Sequence, residues 1–257
     1  MRTTLRVFAA ATASLVLSGA VSAPLPADAS AVFHHPRASA AAASNAGWAS
    51  SNWSGYAKTG SYTRASGAWV VPSVAPSRKA TYSSQWVGID GFNNSSLIQT
   101  GTEADYYNGS AHYGAWWEIL PAAETVIRSM TVQPGDHMTA SVTKGSGNSW
   151  TITITDMSTN PIQTFSTVQT YTGPGKSVEW IEEAPSVGGH VATLAAYSSP
   201  DTFDPGTANA GNPGLTAADG GVMIQRNHQV STPSVPDSDK DGFNMAYGST
   251  APAAPGS

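Results

Sequence analysis

The sequence predicts an all-β fold, an antiparallel β-sandwich of the concanavalin or lectin-like jelly-roll kind. From residue 51 onward, short runs of Val, Ile, Thr, Tyr and Trp alternate with Gly, Pro, Asn and Ser, a pattern typical of strands joined by tight turns. Turn sequences such as QPGD at 133–136 and GSGN at 145–148 separate these runs. No run has the apolar spacing of a long amphipathic helix.

Each predicted strand is enriched in β-branched and aromatic residues and is bounded by turn-forming residues. In chain order the predicted strands are 67–71, 84–89, 97–102, 112–119, 126–132, 137–143, 150–155, 162–170, 177–181, 191–197 and 221–225. There is no internal repeat and no change of composition after residue 51. We therefore expect one domain over 51–250, followed by a flexible tail at 251–257.

The N-terminal segment predicts export. Arg2 and Arg6 form a basic head, residues 7–21 are apolar or small, and ADA at 27–29 has the small-x-small form of a cleavage site. These features indicate a secretory signal peptide over 1–29, and therefore a secreted protein. The Ala- and Ser-rich residues 30–50 are expected to be a propeptide or linker without packed structure, inhibitory or needed for folding and removed at low pH.

Composition excludes several classes of partner. Charged residues make up 11% of the chain, against about 25% in typical soluble domains. Without residues 1–48, 9 basic and 16 acidic residues remain, so neither nucleic acid nor an anionic membrane is an expected partner. The sequence has no cysteine, which excludes disulfides and thiolate metal sites. We expect a monomer that requires no metal and no cofactor.

Alternation along three predicted strands sorts the polar side chains by face. In the strand near 97–103, Gln99 and Glu103 point to the same face. Glu118 in the segment 113–121, and Glu179 and Glu183 in the segment 178–185, likewise each lie on one face of their own strand. Three adjacent strands would gather these groups on one concave surface. For any single carboxylate taken alone, a position on the solvent face of a strand is the favoured interpretation.

Six ordered segments resemble the glutamic peptidases (eqolisins), and together they span about residues 51–247. They are SNWSGY (51–56), GAWVVP (67–72), QWVGIDG (85–91), LIQTG (97–101), YGAWWEILP (113–121) and VEWIEEAP (178–185). Glu103 stands where fungal members have Asp. The chain also lacks the cysteines that many fungal members have, and in this it is more similar to bacterial members.

The resemblance implies an acid endopeptidase that hydrolyses polypeptides with a Gln/Glu dyad. Gln99 would be the catalytic amide and Glu179 the catalytic carboxylate. Substrate-binding positions in the same cleft would be Trp86, Asp90, Glu103 and Glu118. Glu179 would activate water as a general base and Gln99 would stabilise the tetrahedral oxyanion. A neutral amide beside a single carboxylate is expected to leave Glu179 ionised to low pH.

Two other hypotheses remain open on the residues alone. A sandwich glycoside hydrolase would use Glu118 and Glu179 as its carboxylate pair, and a non-catalytic sandwich would bind sugars or peptides through its tryptophans. The segment DSDKDG at 237–242 resembles the first half of a calcium loop, but Gly248 stands at the twelfth position, where Glu is required, so a polar turn is favoured. The six histidines show no spacing typical of paired ligands.

Overall fold

The computed structural model describes residues 32–41 and 46–257, and it confirms the all-β class. The predicted signal peptide lies outside the described residues. The strands are β1 (Val32–Phe33), β2 (Trp48–Ser50), β3 (Trp53–Thr59), β4 (Arg64–Val70), β5 (Ser84–Ile89), β6 (Ile98–Tyr107), β7 (Ser110–Ile119), β8 (Thr125–Val126), β9 (His137–Lys144), β10 (Ser149–Asp156), β11 (Gln163–Thr170), β12 (Ser177–Glu183), β13 (Ser186–Val187), β14 (His190–Val191), β15 (Asp201–Ala208), β16 (Gly220–Gln225), β17 (His228–Pro233) and β18 (Phe243–Tyr247). A short 3₁₀ turn, Ala217–Asp219, precedes β16.

One continuous sheet forms both layers of the sandwich. Its strands run in the order β11-β10-β9-β4-β15-β18-β17-β16-β3-β12-β5-β6-β7-β8, with β2 added in parallel on β16. Strands β4 and β9 of the back layer pack on β5 and β6 of the front layer. A separate small sheet consists of β1, β13 and β14.

The main core lies between the two layers. Trp69, Val87, Ile98, Met138 and Trp180 are all buried there. The Trp69 indole donates a hydrogen bond to Thr102 Oγ1 at 2.9 Å, and the Trp180 indole donates to the Ser66 carbonyl at 2.8 Å. Both rings therefore contribute apolar area without leaving an unpaired N–H group.

A second apolar cluster covers the opposite face of the front layer. It contains Trp53, Trp86, Leu97, Trp116 and Ile181, all fully buried. Strands β5, β6, β7 and β12 are thus covered on both faces, and the polar groups predicted for the cleft lie among these tryptophans.

The predicted strands agree with the structure best where alternation is regular. The bounds of β5 are as predicted, and those of β9, β10 and β11 differ by a residue. Strands β3, β15, β17 and β18 were not predicted. In the predicted strand 126–132, only Thr125–Val126 forms a strand. The residues after it form a turn in which the Met130 amide donates a hydrogen bond to the Ile127 carbonyl, and both side chains pack into the core from this turn.

The prediction that residues 30–50 lack packed structure is wrong for their described part. Trp48–Ser50 forms the buried strand β2, and Val32–Phe33 pairs with β13. The tail at 251–257 has no regular element, yet the Ala253 carbonyl accepts a hydrogen bond from Asn244 at 2.9 Å. Among the described residues no helix has the length and apolar character to cross a membrane.

Candidate active site

Register places the candidate catalytic groups in one row across four strands. Gln99 on β6 pairs with Glu118 on β7 and with Gly88 on β5, and Gly88 pairs on its other side with Glu179 on β12. Paired residues project to the same face of a sheet, so the row reads Glu118, Gln99, Gly88, Glu179. The predicted sharing of one face is confirmed.

Gln99 and Glu118 are in direct contact. Gln99 Nε2 donates a hydrogen bond to Glu118 Oε2 at 2.7 Å, and both side chains are fully buried. Burial raises the pKa of Glu118 to about 7, and Glu183 adds to the effect, while His34 and the Gln99 hydrogen bond oppose it. Glu118 therefore fixes the orientation of the Gln99 amide, whose Oε1 remains buried without a hydrogen-bond partner.

Glu179 lies on the far side of Gly88 from Gln99. Neighbouring strands are about 4.8 Å apart, so the two backbones are about 10 Å apart, and the absent side chain of Gly88 leaves space between them. Both carboxylate oxygens of Glu179 are buried and lack a hydrogen-bond partner. Burial raises its pKa well above the ordinary value, the nearby Ser177 hydroxyl opposes this, and Asp90 adds to it. This environment acts against the expectation that Glu179 stays ionised to low pH.

The next two rows complete the concave face. One row carries Trp116, Gly101, Trp86 and Ile181, and the next carries Gly114, Glu103, Ser84 and Glu183. The Trp86 indole donates to Glu183 Oε2 at 2.7 Å, and its ring meets Trp53 edge-on at 4.9 Å between centroids. Trp86 thus lies in the middle row and holds the Glu183 carboxylate of the next row.

Glu103 lies at the end of this face, beside a cavity of about 750 Å³. The Glu103 carboxylate lies directly over Gly114, because a β-carbon added to Gly114 would be only 2.8 Å from Glu103 Oε1. Burial raises the pKa of Glu103 to about 8, and the Glu124 carboxylate adds to this. Tyr82 and Tyr107 also line the cavity, which therefore extends the acidic face with aromatic walls.

Asp90 is held by the protein itself. It follows β5 with a φ of 71°, and its Oδ2 accepts from the Tyr171 hydroxyl at 2.6 Å and the Gly175 amide at 2.8 Å. Its Oδ1 accepts from the Lys176 amide at 2.7 Å and from Asn94 at 3.0 Å. The structure thus places Asp90 beside Glu179 as the anchor of the turn after β5, and its contact with substrate remains a prediction.

The N-terminal segment supplies a residue that the sequence analysis missed. His34 is fully buried, and its ring stacks on Trp116 at 3.7 Å between centroids. Its Nδ1 lies 2.9 Å from Glu183 Oε2, its Nε2 lies 3.2 Å from Glu124 Oε2, and its backbone amide donates to Glu118 Oε1 at 3.3 Å.

The charge of His34 follows from these neighbours. Burial alone lowers the pKa of His34, but Glu183, Glu124 and Glu118 outweigh burial and raise it well above the ordinary value. An imidazolium therefore neutralises part of the acidic face. The only sequence signal was a His-His pair within an otherwise Ala- and Ser-rich segment, and Glu124 showed no strand pattern.

Further contacts tie the same segment to the cleft rim. The His35 amide donates to Glu183 Oε1 at 3.2 Å, the Arg37 amide donates to the Gly91 carbonyl at 3.0 Å, and the Ala38 amide donates to Asn52 at 2.8 Å. Residues 32–39, called the N-terminal strap below, thus lie across the acidic face.

Comparison with known proteins identifies the group to which this arrangement belongs. The model of the Peptidase A4 family matches residues 51–247. The chain belongs to the Peptidase A4 family. The match begins with the first of the six resembling segments and covers all of them, which confirms the resemblance to the glutamic peptidases.

Two curated relatives support the assignment. Aspergillopepsin-2 from Aspergillus niger is 28% identical over 211 residues, which is 71% of this chain and 73% of the relative. Scytalidopepsin B from Scytalidium lignicola is 34% identical over 111 residues, 42% of this chain and 41% of the relative. This Peptidase A4 member is accordingly a glutamic-type endopeptidase, a hydrolase that acts on polypeptides.

Solved structures show the same fold. Scytalido-glutamic peptidase with a transition state analog inhibitor superposes with a TM-score of 0.66 at 24% identity, covering 77% of this chain and 98% of that one. Aspergilloglutamic peptidase from Aspergillus niger superposes with a TM-score of 0.53 at 23% identity, covering 65% and 99%. The β-sandwich prediction is therefore confirmed, and the family match favours peptide over glycan hydrolysis.

Proposed function

We propose that this family member is a secreted, monomeric acid endopeptidase in which Glu179 activates water and Gln99 stabilises the oxyanion. The observation that carries the proposal is a set of buried acceptors without partners. Gln99 Oε1 and both carboxylate oxygens of Glu179 project from the same face on either side of Gly88. Buried polar atoms are almost always paired, so three unpaired ones on one face suit a site that binds water and substrate.

The chemistry of hydrolysis assigns a separate task to each group. Ionised Glu179 removes a proton from a water molecule as its oxygen attacks the scissile carbonyl carbon. The free N–H of the Gln99 amide donates to the oxygen that becomes negatively charged. Glu179 then passes its proton to the leaving nitrogen, the C–N bond breaks, and an acid and an amine result. The buried surroundings that raise the pKa of Glu179 also make its ionised form a stronger base.

The N-terminal strap is proposed to block this site in the unprocessed chain. His34 lies on Trp116 and pairs with Glu183 and Glu124, which are groups that a substrate side chain would otherwise contact. As the pH falls, protonation of Glu118 and Glu103, whose pKa values burial raises to about 7 and about 8, weakens the attraction that holds His34 and with it the strap. Release of the strap below neutral pH would couple activation to acidification.

The proposal is tested by hydrolysis of denatured casein between about pH 2 and about pH 7, with a pepstatin-type inhibitor present. Glu179→Gln should reduce kcat by about 10²–10⁴-fold, the range for a lost general base. Gln99→Ala should reduce kcat by about 10²–10³-fold, the range for a lost oxyanion donor. Gln169→Ala on β11 of the back layer is the matched control.

Wild-type activity that persists in Glu179→Gln would contradict the assignment of the base. Activity that persists in Gln99→Ala would contradict the role of the amide. Loss of wild-type cleavage in the presence of the inhibitor would indicate an aspartic mechanism.

A further inference from the structure

A loop on the back layer carries a second group of carboxylates, far in sequence from the dyad. This acidic loop, residues 237–242, joins β17 to β18 and has the sequence DSDKDG. Aspartates at alternating positions followed by glycine match positions 1, 3, 5 and 6 of a calcium-binding loop, whose twelfth residue is normally a bidentate Glu. Gly248 occupies that position here, so the loop alone lacks a ligand.

Another strand brings in a carboxylate that the sequence did not indicate. Strand β15 pairs with β18 at Phe203 and Phe243, which places Asp204 against the acidic loop. One carboxylate oxygen each from Asp204, Asp237 and Asp241 lie within 4.8 Å of one another. Calcium binds oxygen at about 2.3–2.6 Å, so two ligands on opposite sides of the ion are about 5 Å apart. The three oxygens therefore fit around a single calcium ion.

One of these oxygens is buried and unpaired. Asp237 is 6% exposed, and its Oδ1 accepts from the amides of Lys240 at 2.7 Å and Asp241 at 3.1 Å. Its Oδ2 has no hydrogen-bond partner in the described chain. A β-carbon on Gly242 would overlap this Oδ2 and lie 2.8 Å from Asp204 Oδ1. Both oxygens thus converge over the glycine, which leaves room for a ligand.

The cluster also lacks a protein counter-charge. Within residues 32–41 and 46–257, no Lys or Arg nitrogen forms an ion pair with Asp204, Asp237 or Asp241. The three carboxylate oxygens lie within 4.8 Å of one another, so their negative charges repel each other when ionised. A bound cation would remove this repulsion.

We propose that the acidic loop and Asp204 bind one Ca²⁺ ion. The donors are all carboxylate oxygens, which suit a hard cation, and the cluster contains no His or Cys of the kind that zinc prefers. The ligands come from an irregular loop and a separate strand, which suits the variable coordination of calcium better than the strict octahedron of magnesium.

A calcium ion here would hold two strands together behind the catalytic sheet. The Gly206 amide of β15 donates to the Asp241 carbonyl at 2.7 Å. A β-carbon on Gly206 would lie 2.8 Å from Nε1 of Trp180, the buried indole of β12. The expected effect is higher stability of the sandwich at neutral pH, where the carboxylates are ionised, and the proposal does not depend on the catalytic assignment.

The test measures binding to the intact chain at about pH 7, where carboxylates are ionised. Equilibrium dialysis with calcium should give one ion per chain. Terbium should replace calcium and luminesce on tryptophan excitation, because Trp180 lies close by. At free calcium about 100 times the dissociation constant, the Tm should rise by about 5–10 °C.

Matched variants decide which groups bind. Asp204→Asn and Asp241→Asn, each checked for folding by circular dichroism, should weaken calcium binding at least about tenfold. Asp136→Asn, in an exposed turn, should bind as the wild type does. Absence of stoichiometric binding by the folded wild type, equal binding of magnesium, or wild-type affinity in both folded variants would each overturn the proposal.

Discussion

The buried carboxyl of Glu118 predicts a specific dependence of stability on pH. Burial holds its pKa at about 7 in the folded chain, against 4.5 ordinarily. The folded state therefore binds a proton that the unfolded state releases between these values, and stability falls as pH rises through this window. Since a tenfold change in an acid constant corresponds to about 1.4 kcal/mol, Glu118 should cost the folded state about 3 kcal/mol by about pH 8.

Glu118→Gln removes this titration with little change of shape. The glutamine still offers an oxygen to the Gln99 amide, so its unfolding free energy at about pH 4 should match that of the wild type within about 1 kcal/mol. By about pH 8 the variant should be the more stable protein, by about 3 kcal/mol. Urea unfolding of the unprocessed chain at both pH values, with mass spectrometry to verify that the strap is present, measures the difference.

The control for this experiment is Asp136→Asn, which changes a half-buried carboxylate in a surface turn to an amide. If the difference between Glu118→Gln and the wild type is the same at both pH values, burial does not govern the protonation of Glu118, and the electrostatic account of the acidic face fails.

Three further predictions follow from other contacts. His34→Ala should raise the activity of the unprocessed chain about tenfold, because a loss of about 1.4 kcal/mol in the affinity of the strap for the site corresponds to a factor of ten. The control variant His35→Ala, which changes the exposed neighbouring residue, should leave this activity unchanged. Gly88→Ala should lower kcat about 10–100-fold, because its β-carbon would lie 3.0 Å from Trp86 Cζ3 and 3.1 Å from Gln99 Cβ; an unchanged kcat would refute the role of this gap. Glu182→Gln should stabilise the protein at about pH 8 but not at about pH 4. Glu182 is buried between the layers beside Gln85. Its pKa is raised mainly by this burial and also by the negative charge of Asp201. Thermal unfolding at both pH values tests this, and equal shifts would contradict it.

Strand periodicity was sufficient to predict the front layer. Side chains alternate between the two faces of a strand, so the positions of Gln99 on β6, Glu118 on β7 and Glu179 on β12 determined the face of each strand on which they lie. Periodicity does not determine which strands become neighbours. The pairing of Gly88 with both Gln99 and Glu179, which defines their separation, depends on the register of β5 with β6, the next strand in the sequence, and with β12, which is distant in the sequence.

Contacts across long sequence distances explain what was missed. His34 reaches Glu183 over 149 residues and Glu124 over 90 residues, and nothing local to any of the three marks the contact. Asp204 likewise joins the acidic loop only because β15 pairs with β18. His34, Glu124 and Asp204 lie in segments with weak local patterns, and the tertiary fold gives them their role.

The small residues of the front layer explain why a β-sheet can form a cleft here. In each of the three rows a small residue on one strand lies beside large or acidic side chains on its neighbours: Gly88 between Gln99 and Glu179, Gly101 between Trp86 and Trp116, and Ser84 between Glu103 and Glu183. A β-carbon at Gly101 would overlap the Gln85 carbonyl oxygen and Trp86 Cβ on β5, so only glycine fits at this position. Full-sized residues in these places would fill the face and exclude a peptide. The spacing of the amide and acidic side chains on this face is therefore encoded as much by these small residues as by the acids themselves.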